Sequence, residues 1–192
     1  MQEKSYLCNI KHSDSMDTDQ QYDNAVASCR AIFAAKLHDY GPSWRILRPC
    51  SVTDQLYIKA KRIRSLQTKG NAAVDEGILP EFMALVNYGI VGVIQLQLGW
   101  SDTKDIDTAN ALELYDRTAA VARKLFMAKN HDYDEAWRGM RVASYVDFIL
   151  TKIERVKEIE DNDGCTKVSE GIDANYFDIV NYAVFGIIKL TE

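Results

Sequence analysis

The chain has no CxxC pair and no clustering of cysteine with histidine. Its four cysteines, Cys8, Cys29, Cys50 and Cys165, therefore build neither a zinc site nor a disulfide framework and read as free thiols in a reducing cytoplasm. There is no glycine-rich phosphate loop, no GxSxG elbow and no HExxH pair. Haem, flavin and zinc are accordingly not expected. Positive charge is not in excess: 23 Lys and Arg stand against 28 Asp and Glu, a net charge of −5. General nucleic-acid coating is thereby excluded, although a local basic face is not. Residues 1–18 contain no apolar stretch of the ~7 to 15 residues that a signal peptide needs, which leaves a flexible tail and a cytoplasmic location as the expectation. The uncharged segment 82–100 comes nearest to a membrane span, but Asn87, Gln95 and Gln97 would lie inside the bilayer. A core helix is the better reading, and no membrane partner is expected.

What is present is a repeat. At an offset of 93, the 27 residues from Tyr22 and the 27 from Tyr115 share 13 identities. After one inserted residue the likeness resumes at an offset of 94, where the segment from Glu76 to Leu96 meets that from Glu170 to Leu190. A fixed-offset match of this kind is a duplicated structural unit. The boundaries read as a tail at 1–18, a first unit at 19–100, a connector at 101–108 and a second unit at 109–192. With 47% hydrophobic residues there is enough apolar surface for two closely packed modules.

Each unit reads as three helices, and the fold class is all-α. Tyr22, Val26, Cys29 and Phe33 recur at three-to-four spacing, as do Tyr115, Ala119, Ala122 and Phe126. The His-Asp-Tyr segments at 38–40 and 131–133 are expected to leave this helix, with Gly41-Pro42 breaking the first copy and Asp134 capping in the second. A short helical turn then carries Trp44 or Trp137. Ser51-x-x-Asp54 and Ser144-x-x-Asp147 read as capping boxes that open the second helix. The third helix starts near Pro80 or just after Asp173 and is apolar almost all round. Asp107 or Thr108 should cap the helix after the connector. The two third helices should pack together about a pseudo-two-fold axis, as in the isologous interface of a homodimer. Whether the chain stays a monomeric pseudo-dimer or itself dimerises is left open.

Polar residues kept in both copies while their neighbours drifted are the candidates for function. They include the cations Lys36, Lys129, Arg45, Arg138, Arg48, Arg141, Lys59, Lys152, Arg62 and Arg155, together with His38, Asp39, Trp44, Trp137, Asn87 and Asn181. Lys59 with Arg62, and Lys152 with Arg155, stand three apart on one helix face, an arrangement suited to phosphate. A solvated face paired with this acidic chain is the alternative. His131 beside Asp132 could serve as an acid-base pair, and Trp44 or Trp137 could stack a nucleobase. Asp178, three residues before Asn181 and eight after Glu170, is the carboxylate for a magnesium site, provided Glu170 folds back; core hydrogen bonding is the competing reading. Because the first copy has Ala84 in place of Asp178 and keeps only Glu76 and Asn87, metal-dependent chemistry is expected in the second unit.

The order Lys-x-His-Asp-Tyr, Trp-Arg, Lys-x-x-Arg-Ile or Lys-x-x-Arg-Val, then Glu ahead of Asp-x-x-Asn-Tyr resembles the nucleotide modification associated domain family of bacteria and phages, in two copies covering 22–96 and 115–190. The resemblance implies a link to modified-nucleotide metabolism. A more distant likeness is to the all-α nucleoside triphosphate pyrophosphatases of the MazG and dimeric dUTPase type. Their helix-borne carboxylate pairs do not carry over, since Lys59-x-x-Arg62 and Lys152-x-x-Arg155 occupy those places. The expected partner is a nucleotide or another phosphorylated small molecule, with magnesium as the cofactor if it is hydrolysed. A non-catalytic helical scaffold is the alternative.

Overall fold

The computed structural model describes residues 17–69, 77–165 and 170–192. Among them lie six α-helices and no strand: α1 (Thr18–Tyr40), α2 (Pro49–Lys69) and α3 (Leu79–Leu98) in the first unit, and α4 (Thr108–Tyr133), α5 (Val142–Asp161) and α6 (Ile172–Thr191) in the second. A 3-10 turn carries each tryptophan, at Ser43–Ile46 and Ala136–Gly139. Most of the tail and Glu76 lie outside the described residues.

The centre is the antiparallel pair α3 and α6, flanked by α2 and α5. Helix α3 is long and apolar enough to cross a membrane by composition, yet here it is a core helix packed against α2 and α6. The close approach depends on glycine. A Cβ at Gly92 would meet the Tyr176 ring at 2.8 Å, and one at Gly186 would meet the Phe82 ring at 2.5 Å. These two contacts are equivalent under the repeat, so the units meet through one surface used twice.

The same reciprocity runs through the outer helices. Arg30 pairs with Asp116 at 2.5 Å and its counterpart Arg123 with Asp23 at 2.6 Å. Phe33 stacks on Tyr115 with centroids 4.5 Å apart, and Tyr22 meets Phe126 at 4.4 Å. Arg64 pairs with Asp147, and the matching Lys157 approaches Asp54 to 3.9 Å. Asp54 and Asp147 are therefore links between units and close no capping box. Pro49, whose ring pre-sets a helical φ, lies at the first position of α2, and α5 starts at Val142, so Ser51 and Ser144 are already helical.

Two further helix ends differ from expectation. The His-Asp-Tyr segments form the last turns of α1 and α4, and the helices stop only where Gly41 (φ 67) and Asp134 (φ 47) turn left-handed. Asp134 thus ends α4 and does not open the next turn. Asp173 lies inside the first turn of α6, preceded by Gly171 as the cap. Pro80 and Asp107 behave as the sequence predicts, and Asp107 accepts the Asn110 N–H at 2.8 Å. Cys29 is buried, which pushes its thiol up to about 12, while Cys50 and Cys165 are exposed; all three are free thiols.

Candidate functional site

In each unit the end of the first helix, the 3-10 turn and the third helix meet at a corner, and the tryptophan of the turn is tucked into it. Trp44 is 8% exposed and Trp137 6%. In the first unit the corner opens into a cleft of about 640 Å³ whose lining includes Phe33, Leu37, Trp44 and Val91, together with Lys36 of α1 and Lys59 and Arg62 of α2. In the second unit the corresponding cleft is about 310 Å³.

The first cleft is basic at one end. Lys36 is exposed, with no ion pair among the described residues. Lys59 and Arg62 converge on Glu81, which is 3% exposed: Arg62 donates to Oε1, and Lys59 Nζ lies 3.2 Å from Oε2. That second contact is an ion pair without hydrogen-bond geometry, and Oε2 accepts no hydrogen bond. The indole N–H of Trp44 is also buried, and it has no acceptor. Buried donors almost always find one, so this residue of the cleft lining is left with an unmet hydrogen bond.

The second corner is complete from within. Trp137 Nε1 donates to Asn130 Oδ1 at 2.9 Å, and the Phe185 ring stacks on Trp137 at 4.5 Å with an interplanar angle of 14°. Asp178 accepts from Lys129 at 2.6 Å and pairs with Lys152 at 2.7 Å. Burial pushes the Asp178 carboxyl up, but the two lysines outweigh it and hold it below the usual carboxylate range. The repeat places Leu37, Ala84 and Val91 where this corner has Asn130, Asp178 and Phe185.

Several candidates stand apart from the clefts. His38 with Asp39, and His131 with Asp132, lie on exposed final helix turns and touch each other at 3.4 and 3.3 Å, with both imidazoles 90% exposed. Neither pair lines either corner cleft, and the second cleft does not bring His131 and Asp132 together with Asp178. Arg45 is 2% exposed and clamps the connector, donating to Asp105 at 2.7 Å and to the Gly99 carbonyl at 2.6 Å. Arg138 donates to Glu135, Glu192, Thr18 and Gln21. It crosses a wider opening of about 1100 Å³ between the start of α1 and the end of α6, where its charge is already matched. Asn87 and Asn181 are held in core hydrogen bonds, although each also borders a cleft. Arg48 lies over the Trp100 ring at 5.5 Å, Arg155 donates to Glu158 at 3.0 Å, and Arg141 is the exposed residue ahead of α5.

For magnesium the fit is poor. Glu170 is exposed ahead of α6, both Asp178 oxygens face ammonium groups, and no three His, Cys, Asp or Glu side chains converge among the described residues. A hard cation at Asp178 would have to displace two lysines. Sequence reasoning passed over Glu81, Asn130 and Phe185. The last two are legible only as differences between the copies.

The family model for nucleotide modification associated domain 1 matches residues 36–96 and, separately, 129–190. Each match begins at the cleft lysine of its unit, Lys36 or Lys129, and runs through the tryptophan turn to the third helix. No curated protein and no solved structure matches the chain, so the distant likeness to helical pyrophosphatases finds no support there.

Proposed function

Because the chain belongs to the nucleotide modification associated domain 1 family, in two tandem copies, we propose that it is a nucleotide-binding protein of modified-nucleotide metabolism. The ligand is received at the corner cleft. One observation carries the reading: Trp44, whose buried indole N–H has no acceptor, lines the same cleft as Lys36, Lys59 and Arg62. A ring with a hydrogen-bond acceptor suits the first, and phosphate suits the second, since ammonium and guanidinium groups are its common partners.

Thermal-shift screening of the full chain against nucleotides tests this, because a ligand that binds only the folded state raises apparent stability by about 2.7 kcal/mol at a hundred times its dissociation constant. Melting should rise with nucleotide and not with the nucleoside alone. Hydrolysis with magnesium is a separate step, read by adding magnesium and measuring phosphate release. Among the described residues no three His, Cys, Asp or Glu side chains converge to hold the metal, and Asp178 is engaged by Lys129 and Lys152.

A scaffold without ligand is the second reading. It is favoured by Arg45, Arg138, Asn87 and Asn181, repeated polar residues whose hydrogen bonds are spent inside the fold. Under that reading no nucleotide shifts the melt.

A further inference from the structure

The second unit fills its corner with its own side chains, and what it uses is informative. Against Trp137 it sets a flat aromatic ring, Phe185; on the indole N–H it sets a carbonyl acceptor, Asn130 Oδ1; between Lys129 and Lys152 it sets an anion, the Asp178 carboxylate. The repeat matches these in the first unit to Val91, Leu37 and Ala84, none of which supplies a ring, an acceptor or a charge, and all three line the larger cleft. Trp44 keeps its N–H with no acceptor, and Lys36, the counterpart of Lys129, has no carboxylate partner among the described residues. Lys59, the counterpart of Lys152, turns to Glu81, which the repeat places one helical turn before Ala84.

We infer that the plug of the second unit is an internal copy of the ligand taken by the first: one nucleoside 5′-monophosphate per chain, its base beside Trp44 and accepting the indole N–H, its phosphate between Lys36 and Lys59. The inference rests on the nucleotide reading above and deepens it by naming the unit, the stoichiometry and the ligand parts. A monophosphate fits better than a triphosphate because the internal copy presents a single carboxylate to its two lysines. The volume agrees in sign, since the first cleft is larger by about the size of a small ligand, 640 against 310 Å³. One buried donor, the Trp44 N–H, and one cation, Lys36, unmatched in the first copy where their counterparts are matched in the second, are what a ligand-filled and a self-filled site look like.

The test is calorimetric titration of the full chain with each of the four deoxynucleoside 5′-monophosphates, in wild type and in three variants whose folding is checked by helical circular dichroism. The expected result is one site per chain. Ala84→Asp, which imports the carboxylate of the second unit, should weaken binding about tenfold or more, the loss of a charge-assisted contact. Leu37→Asn, which gives Trp44 the acceptor that Trp137 already has, should weaken it as well and covers the case in which Ala84→Asp fails to fold. Asp178→Ala in the second unit should leave the affinity unchanged. Two sites per chain, or loss of binding in Asp178→Ala with none in the first-unit variants, overturns this inference and leaves the nucleotide reading standing. No binding of any monophosphate, with tight binding of the triphosphates, overturns it too. Failure of every nucleotide to bind overturns the reading on which it rests.

Discussion

The buried hydroxyl of Tyr22 donates to Asn181 Oδ1 at 3.1 Å, so the first helix of one unit is latched to the third helix of the other. Asn181 Nδ2 in turn donates to the Ala122 carbonyl at 3.3 Å, and the mirror arrangement joins Tyr115, Asn87 and the Cys29 carbonyl. Burial pushes the Tyr22 and Tyr115 phenols far above the ordinary range, so both remain protonated donors.

Asn181→Ala strands the buried Tyr22 hydroxyl and removes the extra hydrogen bond that the Ala122 carbonyl accepts beyond its helical one. The expected loss is about 2 to 3 kcal/mol, or a fall of roughly 5 to 10 °C in Tm for a chain of this size. Tyr22→Phe removes the donor along with its need for a partner and should lose less. Thermal melts of the two variants order them; equal losses would show that the latch carries little.

Gly92→Ala and Gly186→Ala each drive a methyl into a ring of the opposite central helix. Overpacking of this kind costs about 1 to 3 kcal/mol. Because the two contacts are equivalent, the two variants should lose similar amounts, and denaturant melts will show whether they do. Gly139→Ala, where nothing lies within 4 Å of the added carbon, is the control.

Asp178 sets an acid limit on the second unit. Its carboxyl is held below the ordinary range, so the folded chain binds that proton less readily than the unfolded chain does. Its contribution is complete above an unfolded pKa of about 4 and is lost as pH falls through the lower folded value. Asp178→Asn should therefore destabilise at pH 7, and the gap from wild type should close on acidification. A gap that stays constant down to pH 2 would mean that its charge is not what matters.

Asp134 holds a left-handed conformation where the first unit has Gly41. Asp134→Gly removes that strain, less the added freedom of the unfolded chain, for a net gain of up to about 1 kcal/mol. Gly41→Asp should lower the melting temperature. Differential scanning calorimetry of both variants gives the two signs.

The helices and the repeat were legible because apolar spacing survives duplication: Tyr22, Cys29 and Phe33 are buried as their period requires. Helix ends were less so. Pro49 moves the start of α2 ahead of Ser51, and nothing in His38-Asp39-Tyr40 stops a helix until Gly41 changes hand. The cleft was half legible. Repetition picked out Lys36, Lys59 and Trp44, but it picked out Arg45 and Asn87 equally, since a pseudo-symmetric interface retains its own polar contacts as firmly as a ligand site would. Glu81 was hidden because its partners reside on another helix and its counterpart, Asn175, carries no charge.

The reciprocal contacts between units also bear on inheritance. In a dimer of identical chains, every substitution at one corner appears at the other, so neither can change its chemistry alone. Joining the halves in one polypeptide removes that coupling while α3 and α6 still supply each other's buried surface. Leu37 beside Trp44 and Asn130 beside Trp137 are a divergence that only a covalently joined pair can hold. Separating the halves and letting them associate as copies of one or the other would return two alike corners in place of two different ones.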